Sequence, residues 1–250
     1  TGESELVELG SGSATKTRIL LDAYNQMGYP LRYLPIDVSA GILESSAREL
    51  LADYPSLQVQ GLVSTYELAL EQLPPSRLAS RTLCFIGSTL GNLMPSECDR
   101  FFSQIANALQ VGEYFLLGID LQKPKPLLEA AYNDSQGVTA QFNLNMLHHL
   151  NWRFEGDFDA TGFEHVAFYN ASPAQIEIYL QSLKPQTVRL RALDLTIEFE
   201  RGERILTEIS RKFDLNAMQA ELQSRGLEPI QSWTDPKRWF GLLLCQMRSI

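Results

Sequence analysis

The run Glu8-Leu9-Gly10-Ser11-Gly12-Ser13-Ala14-Thr15-Lys16-Thr17 carries the first chemistry in the chain. Leu6, Val7 and Leu9 form the short apolar run that a buried parallel strand needs. From Thr15 to Met27 the apolar residues Ile19, Leu20, Ala23 and Met27 recur at helical spacing. Strand, glycine loop and helix in that order let a nucleotide-like cofactor approach the backbone at Gly10 and Gly12. The next apolar run, Leu31 to Ile36, ends at Asp37, an acid at a strand's carboxyl end where ribose hydroxyls can donate to it. Glycines alone would also fit a tight turn without a ligand, and the acid after the second strand argues against that. A dinucleotide site prefers Gly or Ala where this chain has Thr15, and its acid lies about 20 residues on, nearer than Asp37. Both departures favour S-adenosyl-L-methionine, which has no pyrophosphate, over NAD, and count against an NAD-dependent oxidoreductase.

The elements that must position this loop alternate through the first half of the chain. Helices are predicted near Ala40 to Ala52, Tyr66 to Gln72 and Pro95 to Leu109. Strands are predicted at Leu57 to Val63, Leu83 to Ile86 and Tyr114 to Leu121. From Gln122 the pattern changes to helical stretches, Leu127 to Tyr132 and Ala140 to Phe154, followed by alternating strand-like runs up to Phe213. A helix from Leu215 to Arg225 then leads through Gly226 to two strands, Leu227 to Thr234 and Phe240 to Met247. The expectation is an α/β protein with the class I S-adenosylmethionine-dependent methyltransferase fold. It has a doubly wound, mostly parallel sheet with a late antiparallel hairpin, built from residues 1–121 and 214–250, and an inserted α+β substrate subdomain at 122–213.

Composition narrows the partners. At 250 residues with 44% apolar content the chain can bury a substantial core. A formal charge of −9 would repel a phosphate backbone, and no cluster of Lys and Arg with interleaved aromatics offsets it, so nucleic acid is an unexpected substrate. No apolar run reaches the length of a membrane span and the N-terminus carries no signal-peptide pattern, so the expected setting is cytoplasmic. Cys84, Cys98 and Cys245 are odd in number and far apart, as core residues are. His148, His149 and His165 show no metal-ligand spacing. A monomer is expected.

The polar, glycine-rich end of the fourth strand, Phe85-Ile86-Gly87-Ser88-Thr89-Leu90-Gly91-Asn92-Leu93, reads as a pocket floor. Together with ELGSGSATKTR, DVS at 37–39, AAYND at 130–134, GVTAQFN at 137–143, FEHVAFY at 163–169 and TEISRKF at 207–213, it resembles the histidine-specific methyltransferase family, across residues 5–247. The resemblance implies an S-adenosylmethionine-dependent enzyme that makes trimethylhistidine from L-histidine for ergothioneine synthesis. It implies that Gly10, Lys16 and Asp37 line the cofactor, and the expected cofactor site further includes Gly12 of the glycine loop, Gly87 at the fourth strand's end, and Thr65 and Tyr66 where the family has its acid and aromatic. It further implies that Asn92 and Tyr132 hold the substrate carboxylate, and that Glu208 and Ser210 hold its imidazole. It assigns no general base.

Read from the residues alone, Glu208 and Ser210 stand two apart on a strand and share a face, with Ile205, Ile209 and Phe213 on the other. A carboxylate accepts from one ring N–H, and a hydroxyl, able to donate or accept, serves the other nitrogen. A solvated strand face is the alternative. For Tyr132 the alternative is an aromatic packed on the core, and for Asn92 a cap on the following helix. The family has an acid followed by an aromatic where this chain has Thr65-Tyr66. Tyr66 can still stack on adenine, and the missing charge at Thr65 is expected to weaken adenine selection. The family also places a helical segment before the first strand, and a piece lacking it is expected to bind cofactor and transfer methyl groups weakly. A methyltransferase for another small amino acid or amine, and a catalytically silent binding protein, are the competing readings.

Overall fold

The computed structural model describes residues 2–249 of the chain. In chain order its elements begin with β1 (Glu5–Leu9), α1 (Thr17–Gln26), β2 (Arg32–Asp37), α2 (Ala40–Asp53), β3 (Gln58–Val59), β4 (Leu62–Val63) and α3 (Tyr66–Glu71). They continue with β5 (Arg81–Phe85), α4 (Pro95–Ala108), β6 (Tyr114–Asp120), α5 (Lys125–Tyr132), α6 (Val138–Phe154), β7 (Phe163–Asn170) and β8 (Gln175–Ser182). The last are β9 (Gln186–Leu190), β10 (Leu195–Phe199), β11 (Arg204–Arg211), α7 (Leu215–Gln223), β12 (Leu227–Thr234) and β13 (Phe240–Met247). Two compact units divide them. One gathers Met94–Leu121 with the residues before Gly91 and those from Phe213 onward; the other gathers Gly91–Leu93 and Gln122–Lys212.

The first unit is a sheet in the order β12-β13-β6-β5-β1-β2-β3, with β4 also paired to β2. β1, β2, β5 and β6 run parallel, and β13 closes the sheet antiparallel to β6 and to β12. This is the class I methyltransferase arrangement, late hairpin included. All five residues of β1 are buried, two of them carboxylates. Glu5 survives there because Arg81 lies 3.1 Å and Arg32 3.3 Å from it. Glu8 accepts hydrogen bonds from the Thr17 and Tyr33 hydroxyls.

Two expectations fail locally. The single strand over Leu57 to Val63 is two pieces of two residues each, β3 paired to β2 at Arg32 and Tyr33 and β4 at Ile36 and Asp37, with Gln60 and Gly61 between them outside the ladder. In α1 the buried positions are Thr17 and Leu21, whereas Ile19 is 71% exposed and Met27 63% exposed. The face that meets the sheet runs one position off the apolar stripe, since Thr17 is drawn inward by Glu8.

The second unit pairs β7, β8 and β11 antiparallel, with a separate β9–β10 hairpin. α6 begins after Gly137, whose φ of +69° suits glycine, and Asp134 accepts from the Val138 and Thr139 N–H groups at 2.9 and 2.8 Å. Those bonds lower the Asp134 carboxyl to about 2. One core gathers Leu147, Phe158, Phe163, Leu180 and Phe199. A smaller one gathers Leu128, Ile176 and Ile178 under Tyr132. β11 carries a bulge between Leu206 and Glu208. The extra residue reverses the alternation, so Ile205, opposite Leu180, shares the face of Glu208 and Ser210, opposite Ile178 and Ile176. The expectation that Ile205 lies on the other face is thereby corrected.

Candidate functional site

In the first unit the glycine loop is held by its own backbone. The Gly10 and Ser11 N–H groups both donate to the Ile36 carbonyl, at 2.8 and 3.2 Å, which pins the loop to the end of β2. Asp37, the next residue, accepts from the Gly12 N–H at 3.0 Å and from the Ser39 N–H at 2.9 Å. One carboxylate therefore organises the two loops at the carboxyl ends of β1 and β2. Gly10 sits at φ +69° and a Cβ there would lie 2.9 Å from the Tyr66 Oη, so the loop has both the conformation and the close approach that require glycine. Gly12, at φ +50°, has open space where its Cβ would be.

Gly10, Gly12, Lys16 and Gly87 line one cavity of about 200 Å³, with Glu8 and Ser11 at its floor. Among the described residues the buried Ser11 Oγ has no hydrogen-bond partner, an orphaned polar atom of the sort a ligand satisfies. Lys16, exposed at the mouth, also borders an adjoining cavity of about 420 Å³ that is almost wholly apolar. The Tyr66 ring is half-buried and packs edge-on against Phe85 and Phe101, with centroids 5.4 and 6.4 Å away. Thr65 is exposed at the start of α3 and its side chain makes no cap. Burial, aided by the nearby Asp37 and Glu67, raises the Tyr66 hydroxyl above its ordinary value, so it stays a neutral donor. A polar loop with an orphaned hydroxyl and an acid at the end of β2 suits an adenosyl ligand.

In the second unit Tyr132, at the end of α5, and Ser210, on β11, meet across 78 residues of sequence. The Tyr132 Oη donates to the Ser210 Oγ at 2.9 Å. Lys212, only 3% exposed, donates to both oxygens, at 2.9 Å to Tyr132 and 2.8 Å to Ser210. Tyr132 is held from behind as well. The His165 Nε2–H donates to the Tyr132 carbonyl at 2.9 Å, and the Asn143 amide completes the ring's other nitrogen at 3.1 Å. Gly91 backs onto the same strand: a Cβ there would lie 2.9 Å from the Arg211 carbonyl and 3.5 Å from the Ser210 Oγ. That leaves the neighbouring Asn92 exposed, its side chain without a hydrogen bond among the described residues, while Glu97 takes the cap of α4 through the Met94 N–H. The half-buried Glu208 side chain likewise has no hydrogen bond or ion pair among the described residues.

Lys212, Gly91 and His165, which sequence reasoning did not single out, are residues that contact Tyr132, Ser210 or the strand of Ser210. Lys212 had a usable signal, standing two residues beyond Ser210 on the same face of the strand. His165 had none. Among the described residues no cluster of His, Cys, Asp or Glu is arranged for a metal, and no helix is long and apolar enough to cross a membrane.

The sequence profile of the histidine-specific, SAM-dependent methyltransferases matches residues 1–247. The histidine N-alpha-methyltransferase of Mycolicibacterium smegmatis is 43% identical over 243 residues, 97% of this chain and 75% of that protein. The ergothioneine biosynthesis protein 1 of Neurospora crassa is 27% identical over 97% of this chain and 28% of its own length. Among solved structures, a SAM-dependent methyltransferase from Methanosarcina mazei covers all of this chain and 95% of its own with a TM-score of 0.51 at 14% identity, a likeness of fold. A profile match over nearly every residue, on a sheet of this order with a glycine loop of this geometry, shows that the chain belongs to the histidine-specific, S-adenosylmethionine-dependent methyltransferases.

Proposed function

We propose that this protein methylates the α-amino group of free L-histidine, three times in succession, to give Nα,Nα,Nα-trimethyl-L-histidine for ergothioneine synthesis. The observation that carries the reading is the cluster of Tyr132, Ser210 and Lys212, three polar groups closed within 2.9 Å of one another, with Ser210 on the strand that also bears Glu208. Tyr132 and the exposed Asn92 offer donors to an α-carboxylate. Glu208 accepts from one ring N–H, and the Ser210 hydroxyl serves the other nitrogen. A side chain with one donor and one acceptor nitrogen answers that pair better than an aliphatic or phenolic one does.

Gly10, Gly12, Lys16, Asp37, Thr65, Tyr66 and Gly87 hold S-adenosylmethionine in this reading. Asp37 accepts from the ribose hydroxyls with its remaining lone pairs, and Lys16 stands at the mouth of the loop. Bound S-adenosylmethionine supplies an electrophilic sulfonium methyl, which the amine takes by in-line displacement with S-adenosylhomocysteine leaving. The chain's own contribution is positioning, which for two well-oriented reactants is worth effective molarities on the order of 10⁵ M or more. The amine arrives neutral or gives its proton to an acceptor or water in each of the three rounds.

Incubation with S-adenosylmethionine and an equimolar mixture of free amino acids, followed by mass spectrometry, tests this. Histidine alone should gain one, two and then three methyl groups. Methylation of another amino acid in preference to histidine, or of none, would refute the assignment.

A further inference from the structure

The hydroxyls of Tyr132 and Ser210, 2.9 Å apart, belong in the proposed function to opposite ends of the substrate. Two hydroxyls at that distance ordinarily satisfy one another, which takes one hydrogen out of use. The structure has the Tyr132 hydrogen in that role, with Ser210 accepting it. Lys212 changes the balance, because it donates to both oxygens from a position 3% exposed and lies 5.0 Å from the Tyr132 ring centroid.

We infer that Lys212 is a positioning residue that keeps both hydroxyl hydrogens aimed at the substrate and so couples recognition of the carboxylate to recognition of the imidazole. With the site empty, the Ser210 Oγ accepts from Tyr132 and from Lys212, so its own hydrogen is left to point at a ligand nitrogen. When a carboxylate arrives it takes the Tyr132 hydrogen, and the Tyr132 and Ser210 oxygens then face each other with a lone pair vacated. Lys212 continues to donate to both, and its charge strengthens each hydroxyl as a donor. Without it, the Ser210 hydrogen turns to the Tyr132 Oη, the nearest acceptor, and is lost to the imidazole. The inference rests on the histidine reading for the ligand's identity and on the hydrogen bonds within the second unit for its logic.

The consequence separates two ligands. L-Histidine presents both ends and needs both hydrogens, whereas histamine has the ring without the carboxylate, leaves the Tyr132 hydrogen on Ser210, and makes no demand on Lys212. Dissociation constants for both are measured on the full chain with S-adenosylhomocysteine present, by calorimetry for histidine and by competition for histamine. In Lys212→Met, histidine binding is expected to weaken about tenfold or more, the scale of a charged hydrogen bond, and histamine binding by less than about threefold. Weakening of both in equal proportion would make Lys212 a structural residue only, and no weakening of histidine would remove it from recognition; either result overturns the inference. If thermal melting shows that Lys212→Met does not fold, the same comparison on Lys212→Gln decides, since an amide there reaches one hydroxyl and not both. A parent protein that binds no histidine overturns the proposed function and this inference with it. A parent that binds histidine, with an unchanged ratio of the two ligands in the variant, overturns this inference alone.

Discussion

Two regions of this protein are assembled from different material. Around Gly10 and Gly12 the hydrogen-bonding atoms are mostly backbone: N–H groups pinned to Ile36 and tied to a single carboxylate, Asp37. Around Tyr132 they are the far ends of side chains carried by elements 78 residues apart in sequence and brought within 2.9 Å. A backbone site tolerates variation in its side chains and fails when the chain cannot take its path. A side-chain site keeps its path and fails when one functional group is changed. In the proposed function the cofactor, common to a whole fold, is matched to the first kind, and the substrate, which distinguishes one enzyme from its relatives, to the second.

The sharpest way to break that contrast is Gly10→Val. A side chain there meets the Tyr66 Oη in a backbone conformation that suits glycine, so affinity for S-adenosylhomocysteine should fall by about a hundredfold or more while histidine-site residues keep their contacts. Calorimetry that finds the affinity within threefold of the parent would show that the loop is not the cradle.

Glu208→Ala and Asp37→Ala form a crossed pair. The first should weaken histidine by about ten- to a hundredfold and leave S-adenosylhomocysteine nearly unchanged, and the second should do the reverse, each losing a charged hydrogen-bond acceptor. Equal losses of both ligands in either variant would dissolve the distinction between the regions. Gly91→Ala tests the seam of the second region. Its Cβ meets the backbone carbonyl of Arg211, which cannot give way as a flexible side chain would. The expected result is a several-fold rise in the histidine KM, read by steady-state kinetics, with kcat close to the parent's.

The smallest effect concerns the floor of the loop. Burial raises the Glu8 carboxyl above 4.5 despite the hydrogen bonds from Thr17 and Tyr33 that oppose the shift. For an acid raised on folding, the unfolded chain holds fewer protons at neutral pH. Its contribution to stability is therefore complete below pH 4.5 and is lost as pH rises through the folded-state value. Glu8→Gln removes that dependence. Melting temperatures should place the variant level with or above the parent at pH 7.5, with the difference narrowing toward pH 5, and a difference that widens on acidification would reverse the sign argued here.

Much of the first region was legible in the sequence, because a glycine loop between a strand and a helix is encoded within ten consecutive residues and its acid follows at the end of the next strand. The inward face of α1 was not, since the apolar stripe at Ile19 and Met27 points to an exposed surface and the buried carboxylate of Glu8 draws Thr17 inward instead. In the second region Asn92, Tyr132, Glu208 and Ser210 were picked out by family resemblance, and their residue types alone were equally consistent with a solvated strand, a core aromatic or a helix cap. The bulge between Leu206 and Glu208 set the face of Ile205 and left no mark in the pattern of residues.

By itself the sequence determined the order of strands and helices, the parallel sheet with its late hairpin, and the loop that suits S-adenosylmethionine. These follow from hydrophobic period and from glycine, which act over a few residues. Only the tertiary structure decided that Lys212 would lie buried beneath two hydroxyls, that His165 would hold Tyr132 from behind, and that Gly91 would lie against Arg211 and Ser210. Those are contacts between distant segments, and their existence depends on how sheets twist, bulge and pack, which no local pattern of residue types specifies.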